Sequence, residues 1–238
     1  MKKLVKFGTH ALILILIGST GIPLSADDNQ SATVQLHIAP AQSGKPHPVP
    51  AVAWLEPESG TAPVPFPPHG PYTLLQKNRT FFPHLQVIPA GSRVQFPNAD
   101  PYFHNVFSLF AGKRFDLGLY EAGATKSVTF SRVGVSYIFC NIHPEMSAVV
   151  VALSSPLYGI ASSENAVAIR NVPLGDYTLH IWVEGVPEST LSHQTRRVHV
   201  GSQSTDLGTV SLPVSDLPRA SHSNKFGKPY DPTPKQPY

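Results

Sequence analysis

The amino-acid sequence predicts an all-β protein built from antiparallel sandwiches, and three observations carry that prediction. Short apolar segments alternate with period two, turn-forming Pro, Gly, Asn and Asp cluster between them, and no stretch after residue 26 sustains a 3.6-residue period. At 238 residues the chain has room for one large domain or two small ones. Charged residues make up only 14%, against about 25% in soluble domains, and prolines number 25. That balance excludes coiled coils and charge-rich disordered chains.

The chain opens with a basic start, Met1-Lys-Lys-Leu-Val-Lys6, an apolar run from Ala11 to Ile17, and Leu24-Ser25-Ala26 ahead of Asp27 and Asp28. This order of charged, hydrophobic and small-residue regions predicts a secretory signal peptide over 1–26. The apolar run is shorter than the roughly 20 residues that span a bilayer, so no membrane span is expected in the processed chain. The formal charge of +3 equals the three lysines of that leader, which removes the case for nucleic acid as a partner. A periplasmic or extracellular location is the expectation.

Residues 31–38 alternate, with Val34, Leu36 and Ile38 on one face and Thr33, Gln35 and His37 on the other, which is the pattern of a half-buried strand. His37 is read as solvated. Ten prolines crowd residues 40–71, broken by the apolar segment 51–55, so a stiff connection with at most one strand is expected there. Strand-like segments then recur at 85–88, 92–96, 106–109, 126–131, 135–140 and 148–153, and a second group at 167–170, 176–183, 197–200 and 207–212. Beyond Val214 the periodicity stops, and prolines with scattered Lys and Arg predict a disordered tail over 214–238. The organisation expected is therefore 1–26 signal, 27–80 N-terminal strands and Pro-rich connection, 81–153 first β core, 154–213 second small β module, and the tail.

The chemistry concentrates at Asp100-Pro-Tyr-Phe-His-Asn-Val-Phe-Ser108 and Tyr137-Ile-Phe-Cys-Asn-Ile-His-Pro-Glu-Met146. Cys140 is the sole cysteine, so no internal disulfide and no site with two thiolates can form. Cys140, His143 and Met146 stand at i, i+3 and i+6, a spacing that lets one loop leaving a strand aim three donors at one point. His104 adds an imidazole from another strand. Two His and one Cys in a plane with a weak axial Met is the donor set of a copper electron-transfer site, and structural zinc sites seldom use a thioether. Glu145 is read as a solvated loop residue, His84 as a packed or surface histidine, and Lys113 with Arg114 as an exposed turn. A second copper site would need more histidines at motif spacing, and His180, His193 and His199 show none. No nucleophile elbow, phosphate loop or paired carboxylate appears, so an enzyme is not expected.

His104-Asn105-Val106 with Cys-x2-His-x2-Met resembles the cupredoxin (blue copper) family, and Pro144 directly after His143 with a short final loop is most like amicyanin. The stretch 82–153, including Gly91, Phe96-Pro-Asn98 and Phe115-Asp-Leu-Gly-Leu-Tyr120, is similar to exported plastocyanin-like proteins labelled methylamine utilization proteins. Residues 169–179 resemble a carboxypeptidase regulatory-like (transthyretin-like) β module, and 43–52 resemble the opening of such a module, which leaves open that the first core is inserted into the second. The resemblance implies a Greek-key cupredoxin β-sandwich plus a second small β-sandwich. It implies one copper ion on His104, Cys140 and His143 with Met146 axial. It further implies that the Asn105 side chain ties the two ligand loops together, and that Phe139 and His143 serve as electron ports. The function implied is a one-electron carrier with transient redox partners such as a cytochrome or dehydrogenase. A copper-delivery protein that never cycles redox, or a β-sandwich interaction module, is the alternative.

Overall fold

The computed structural model describes residues 30–40, 48–109, 112–213 and 223–230. The expected signal peptide lies outside them. Along the chain the strands are β1 (Ser31–Pro40), β2 (Ala51–Pro57), β3 (Tyr72–Thr73), β4 (Leu75–Lys77), β5 (Thr80–Phe82), β6 (Leu85–Pro89), β7 (Arg93–Pro97), β8 (His104–Ser108), β9 (Phe115–Tyr120), β10 (Thr125–Thr129), β11 (Gly134–Cys140) and β12 (Ser147–Leu153). Then follow β13 (Tyr158–Ile160), β14 (Ala166–Pro173), β15 (Gly175–Val183), the short helix α1 (Glu188–Ser192), β16 (Arg196–Val200) and β17 (Thr205–Leu212). The fold is all-β, and it forms two sandwiches. No helix among the described residues is long and apolar enough to cross a membrane.

The first sandwich faces a five-stranded sheet, β6-β12-β11-β8-β9, against a three-stranded one, β10-β7-β3. The chain crosses between these sheets at β6–β7, β7–β8, β9–β10 and β10–β11, and stays within one sheet only at β8–β9 and β11–β12, which gives the Greek-key connectivity. Its core holds Leu74, Phe81, Ile88, Val94, Phe96, Val106, Phe130, Ile138, Ala148 and Val150. β9 escaped the sequence pattern because Gly118, at φ +65°, sits where the β8–β9 register slips between Asn105 and Phe107, and this breaks the alternation.

The second sandwich corrects the expected boundaries. β1 lies between β14 and β17, pairing antiparallel with the first and parallel with the second, while β2 lies between β13 and β15. The second module is thus not confined to 154–213: it draws two central strands from before residue 60, whose inward apolar residues share one core with those of β14, β15 and β17. The boundary at 80 also falls inside the β4–β5 hairpin, and β3 pairs with β7, so the first sandwich takes up strands from Tyr72 onward.

β12 lies between the two cores. Val149, Val151 and Leu153 belong to the core of the second sandwich, whereas Ala148, Val150 and Ala152 belong to the first. Its sequence, Ser147-Ala-Val-Val-Val-Ala-Leu153, has no polar face because neither face meets water. The Trp182 indole Nε1–H donates to the Tyr137 hydroxyl at 3.1 Å across the same junction.

Candidate metal centre

His104 opens β8, Cys140 closes β11, and His143 stands on the loop between β11 and β12. β11 is the middle strand of its sheet and pairs with β8, so Cys140 stands opposite Val106 and the two donor-bearing strands are neighbours. The loop is tied by its own main chain: Cys140 N–H donates to the Met146 carbonyl at 3.3 Å, Met146 N–H to the His143 carbonyl at 3.1 Å, and Asn141 N–H to the Asn105 carbonyl at 2.9 Å.

Three donor atoms face one point. Cys140 Sγ lies 3.6 Å from His104 Nδ1 and 3.5 Å from His143 Nδ1, and the two imidazole nitrogens are 3.1 Å apart. Cys140 and His104 are fully buried, and His143 is half-buried. A first-row ion at about 2.0 Å from nitrogen and about 2.3 Å from sulfur, at trigonal angles, needs edges of about 3.7 Å (S to N) and about 3.5 Å (N to N). The triangle fits a single such ion, and it is the one His/Cys/carboxylate cluster of this kind among the described residues. Met146 is buried in the same core, and its main chain closes the loop.

The surroundings orient these donors. Asp100 Oδ2 accepts from His104 Nε2 at 2.9 Å, leaving Nδ1 for the ion, an arrangement that fixes tautomer and ring plane. The same carboxylate accepts the main-chain N–H groups of Asn78 (2.6 Å) and Arg79 (3.1 Å), two residues held at positive φ in the β4–β5 turn. Burial raises the Asp100 pKa, but these hydrogen bonds together outweigh it and hold the carboxyl below its usual range. Burial pushes the His104 imidazole down, more than Asp100 pulls it up. His143 is pushed down to about 4, by burial first and by the neighbouring His104 second. Burial raises the Cys140 thiol, opposed by main-chain N–H groups of Asn105, Ile142 and His143 that donate to it. Tyr102 packs its ring against both imidazoles, at 5.5 Å from each, and the Arg79 guanidinium lies over the Tyr102 ring, 5.3 Å from its centroid.

Two expectations are corrected in detail. Asn105 does join the two ligand loops, but through its carbonyl and N–H; its side-chain Nδ2 donates instead to Asp116 Oδ1 at 2.6 Å. The reason is the β8–β9 register slip, which brings Asp116 beside Asn105. Phe139, expected as an electron port, presents little surface: it is 8% exposed and packs its ring on Phe107 of the neighbouring strand β8. Glu145 is exposed, and His37 is exposed with Nε2 2.9 Å from the Glu164 carbonyl. His84 bonds Glu184 Oε1 at 2.7 Å and the Ser147 carbonyl at 3.1 Å.

Sequence reasoning missed two features. Asp100 stands four residues before His104, and a carboxylate so placed before a ligating imidazole was the available signal. The tail is the other. Residues 223–230 are ordered against the site, with Tyr230 Oη donating to the Cys140 carbonyl at 2.9 Å, Lys225 N–H to Asn141 Oδ1 at 2.9 Å, and Lys225 Nζ to Asp116 Oδ2 at 2.7 Å. The rest of the expected disordered tail, 214–222 and 231–238, lies outside the described residues.

Fold and donor set together define a β-sandwich protein with a buried cluster of two histidines and one cysteine that could hold a metal ion. No protein-family model matches the chain, and no curated protein matches it. Solved structures similar to part of it include a purple cupredoxin from Nitrosopumilus maritimus, at 24% identity over 34% of this chain and 96% of that one, with a TM-score of 0.31. A copper-containing nitrite reductase from Thermus scotoductus is 23% identical over 41% of this chain and 25% of its own length, at a TM-score of 0.34. Amicyanin from Paracoccus versutus is 21% identical over 36% of this chain and 84% of its own, at 0.33.

Proposed function

We propose that this protein is an exported type 1 copper protein that carries one electron at a time between redox partners, with His104, Cys140 and His143 as equatorial ligands and Met146 as the axial one. The observation that carries this reading is the buried triangle of two imidazole nitrogens and one sulfur with edges of 3.1 to 3.6 Å. Copper, when bound, supplies a one-electron couple. Thiolate and thioether donors suit Cu(I) and imidazole suits both oxidation states, so the same donor set serves both. Asp100 holds the His104 ring, and the Asn105, Ile142 and His143 N–H groups hold the sulfur, so the donors have little freedom to rearrange as charge changes. Those N–H groups also favour the thiolate that ligation requires.

His143 is the donor that reaches toward solvent, beside Ile142 and close to Tyr102, with Phe103 next along the chain; Ile142 is 39% and Phe103 50% exposed. Such a small apolar rim suits brief docking with a redox protein, whose interface would be weak and transient. Loading the protein with Cu(II) is expected to give an intense visible thiolate-to-copper band that bleaches with mild reductant and returns on oxidation. A colourless protein whose Cys140→Ser variant binds copper equally well refutes the carrier reading.

A further inference from the structure

The Ser223–Tyr230 segment does not trail from the molecule; it lies across the donor loop. Its own fold is a self-capped turn. Asn224 Oδ1 accepts from the N–H groups of Phe226 (3.0 Å) and Lys228 (3.1 Å), Asn224 N–H donates to the Lys228 carbonyl at 2.8 Å, and Gly227 takes the positive φ of +74° that closes the turn. From that turn two residues reach three points around the site. Lys225 donates through its main chain to Asn141, the residue after Cys140, and through Nζ to Asp116. Asp116 in turn accepts from the side chain of Asn105, the residue after His104. Tyr230 donates to the carbonyl of Cys140 itself. Two anchors therefore end on Cys140 or the residue after it, and the third ends on Asp116 of β9, which bonds the residue after His104, so the segment links the loop carrying Cys140 and His143 to the strand beside the one that carries His104.

We infer that Ser223–Tyr230 is a clasp belonging to the metal centre, in which Lys225 and Tyr230 are positioning residues that hold the Cys140–His143 loop shut, so that the sulfur is shielded and a bound ion is retained. The part of this that concerns a bound ion rests on the proposed copper reading; the shielding of the thiol does not. For an ion to leave, the Cys140–His143 loop must swing from β8, and with the clasp in place that motion breaks the hydrogen bonds to Cys140 and Asn141 together. A buried sulfur whose own main-chain carbonyl, and whose next residue, are bonded to a solvent-side segment favours retention over release. The clasp thus sets this site apart from one built to hand its ion on.

The test compares the full-length protein with its Tyr230→Phe, Lys225→Met and doubly substituted variants. In the metal-free protein, the alkylation rate of Cys140 by iodoacetamide reads the closure of the loop, and trypsin cleavage of the Lys225–Phe226 bond in the wild type and Tyr230→Phe reads docking of the segment. In the Cu(II)-loaded protein, transfer to excess chelator, followed at the thiolate-to-copper band, reads retention. Each single substitution is expected to speed alkylation and copper loss by about fivefold, the factor that one hydrogen bond of ordinary net worth supplies, and the double substitution by more. Lys225→Met removes a partly exposed surface contact and keeps the fold testable if Tyr230→Phe perturbs it. Rates within twofold of wild type in both single variants overturn the clasp. A wild type that never develops the band, yet alkylates slowly and faster once either residue is changed, overturns the copper reading and upholds the clasp.

Discussion

Asp100→Asn is the sharpest probe of how the site is held. The wild-type carboxylate is 4% exposed and accepts three N–H groups, from Asn78, Arg79 and His104 Nε2, at 2.6, 3.1 and 2.9 Å. Asparagine offers one acceptor oxygen, so whichever way its amide turns, its NH2 meets at least one of those donors. Hydrogen bonds to a charged group are each worth about 1.5–3 kcal/mol, and the surviving ones fall to neutral strength at about 1 kcal/mol. The expected loss is therefore about 2.5–7 kcal/mol of stability in the metal-free protein, at a carboxylate this buried. Freed from its partner, the His104 ring loses its fixed tautomer, for which a 10- to 100-fold loss of metal affinity is expected. Urea unfolding of the metal-free form measures the first, and competition with a chelator of known copper affinity measures the second. Stability within about 0.5 kcal/mol of wild type together with affinity within about twofold would mean that Asp100 neither anchors the β4–β5 turn nor orients His104, and the reasoning would fall.

Three further outcomes follow from named contacts. Met146→Gln is expected to keep copper bound and lower the reduction potential, since the axial donor tunes the couple; voltammetry giving an unchanged potential would remove Met146 from the ligand set. His143 has a folded pKa near 4 against about 6.5 in the unfolded chain, so between those values the unfolded state binds more protons; stability of the metal-free protein is full above about pH 6.5 and declines as pH falls toward 4, and His104 is shifted the same way. Urea midpoints over that range should flatten in His143→Gln, and an undiminished slope would assign the effect elsewhere. Glu184→Gln removes the charge facing His84 at 2.7 Å and is expected to cost about 1 kcal/mol, read by the same unfolding assay; no change would make that bridge between the sandwiches idle.

The strands that alternation found are those with one wet and one dry face: β1 and β15 are the clearest, and β7, β10 and β16 were found within a residue or two. The very short strands β3, β4, β5 and β13 have too few residues to show a period, and β9 carries a glycine bulge in its middle. The donors His104, Cys140 and His143 were legible because ligand chemistry fixes residue type and spacing along a loop. What orients them was less so, since the Asp100 carboxylate is defined by a pairing with the β4–β5 turn that no local pattern encodes. The tail was misread for a related reason. Composition predicts disorder when a segment has nothing apolar to bury, and Ser223–Tyr230 is held instead by hydrogen bonds to residues about 84 to 109 positions away.

The place of β12 explains why the metal centre and the second sandwich occur in one chain. A donor loop is only as rigid as the hairpin it crowns, and here that hairpin, β11–β12, sits at the centre of a sheet, with β8 on one side and β6 on the other. A single sandwich would leave the back of β12 in water and would call for polar residues there. Instead Val149, Val151 and Leu153 are sealed by the core that β1, β2 and β15 build, while Tyr137, on the outward face of β11, bonds Trp182 of β15. His84 adds a polar link at the loop end, joining the carbonyl of Ser147, the residue after Met146, to Glu184 just beyond β15. The second sandwich is therefore a wall behind the donor hairpin, and a substitution that loosens it should reach the centre through β12 before it reaches any donor directly.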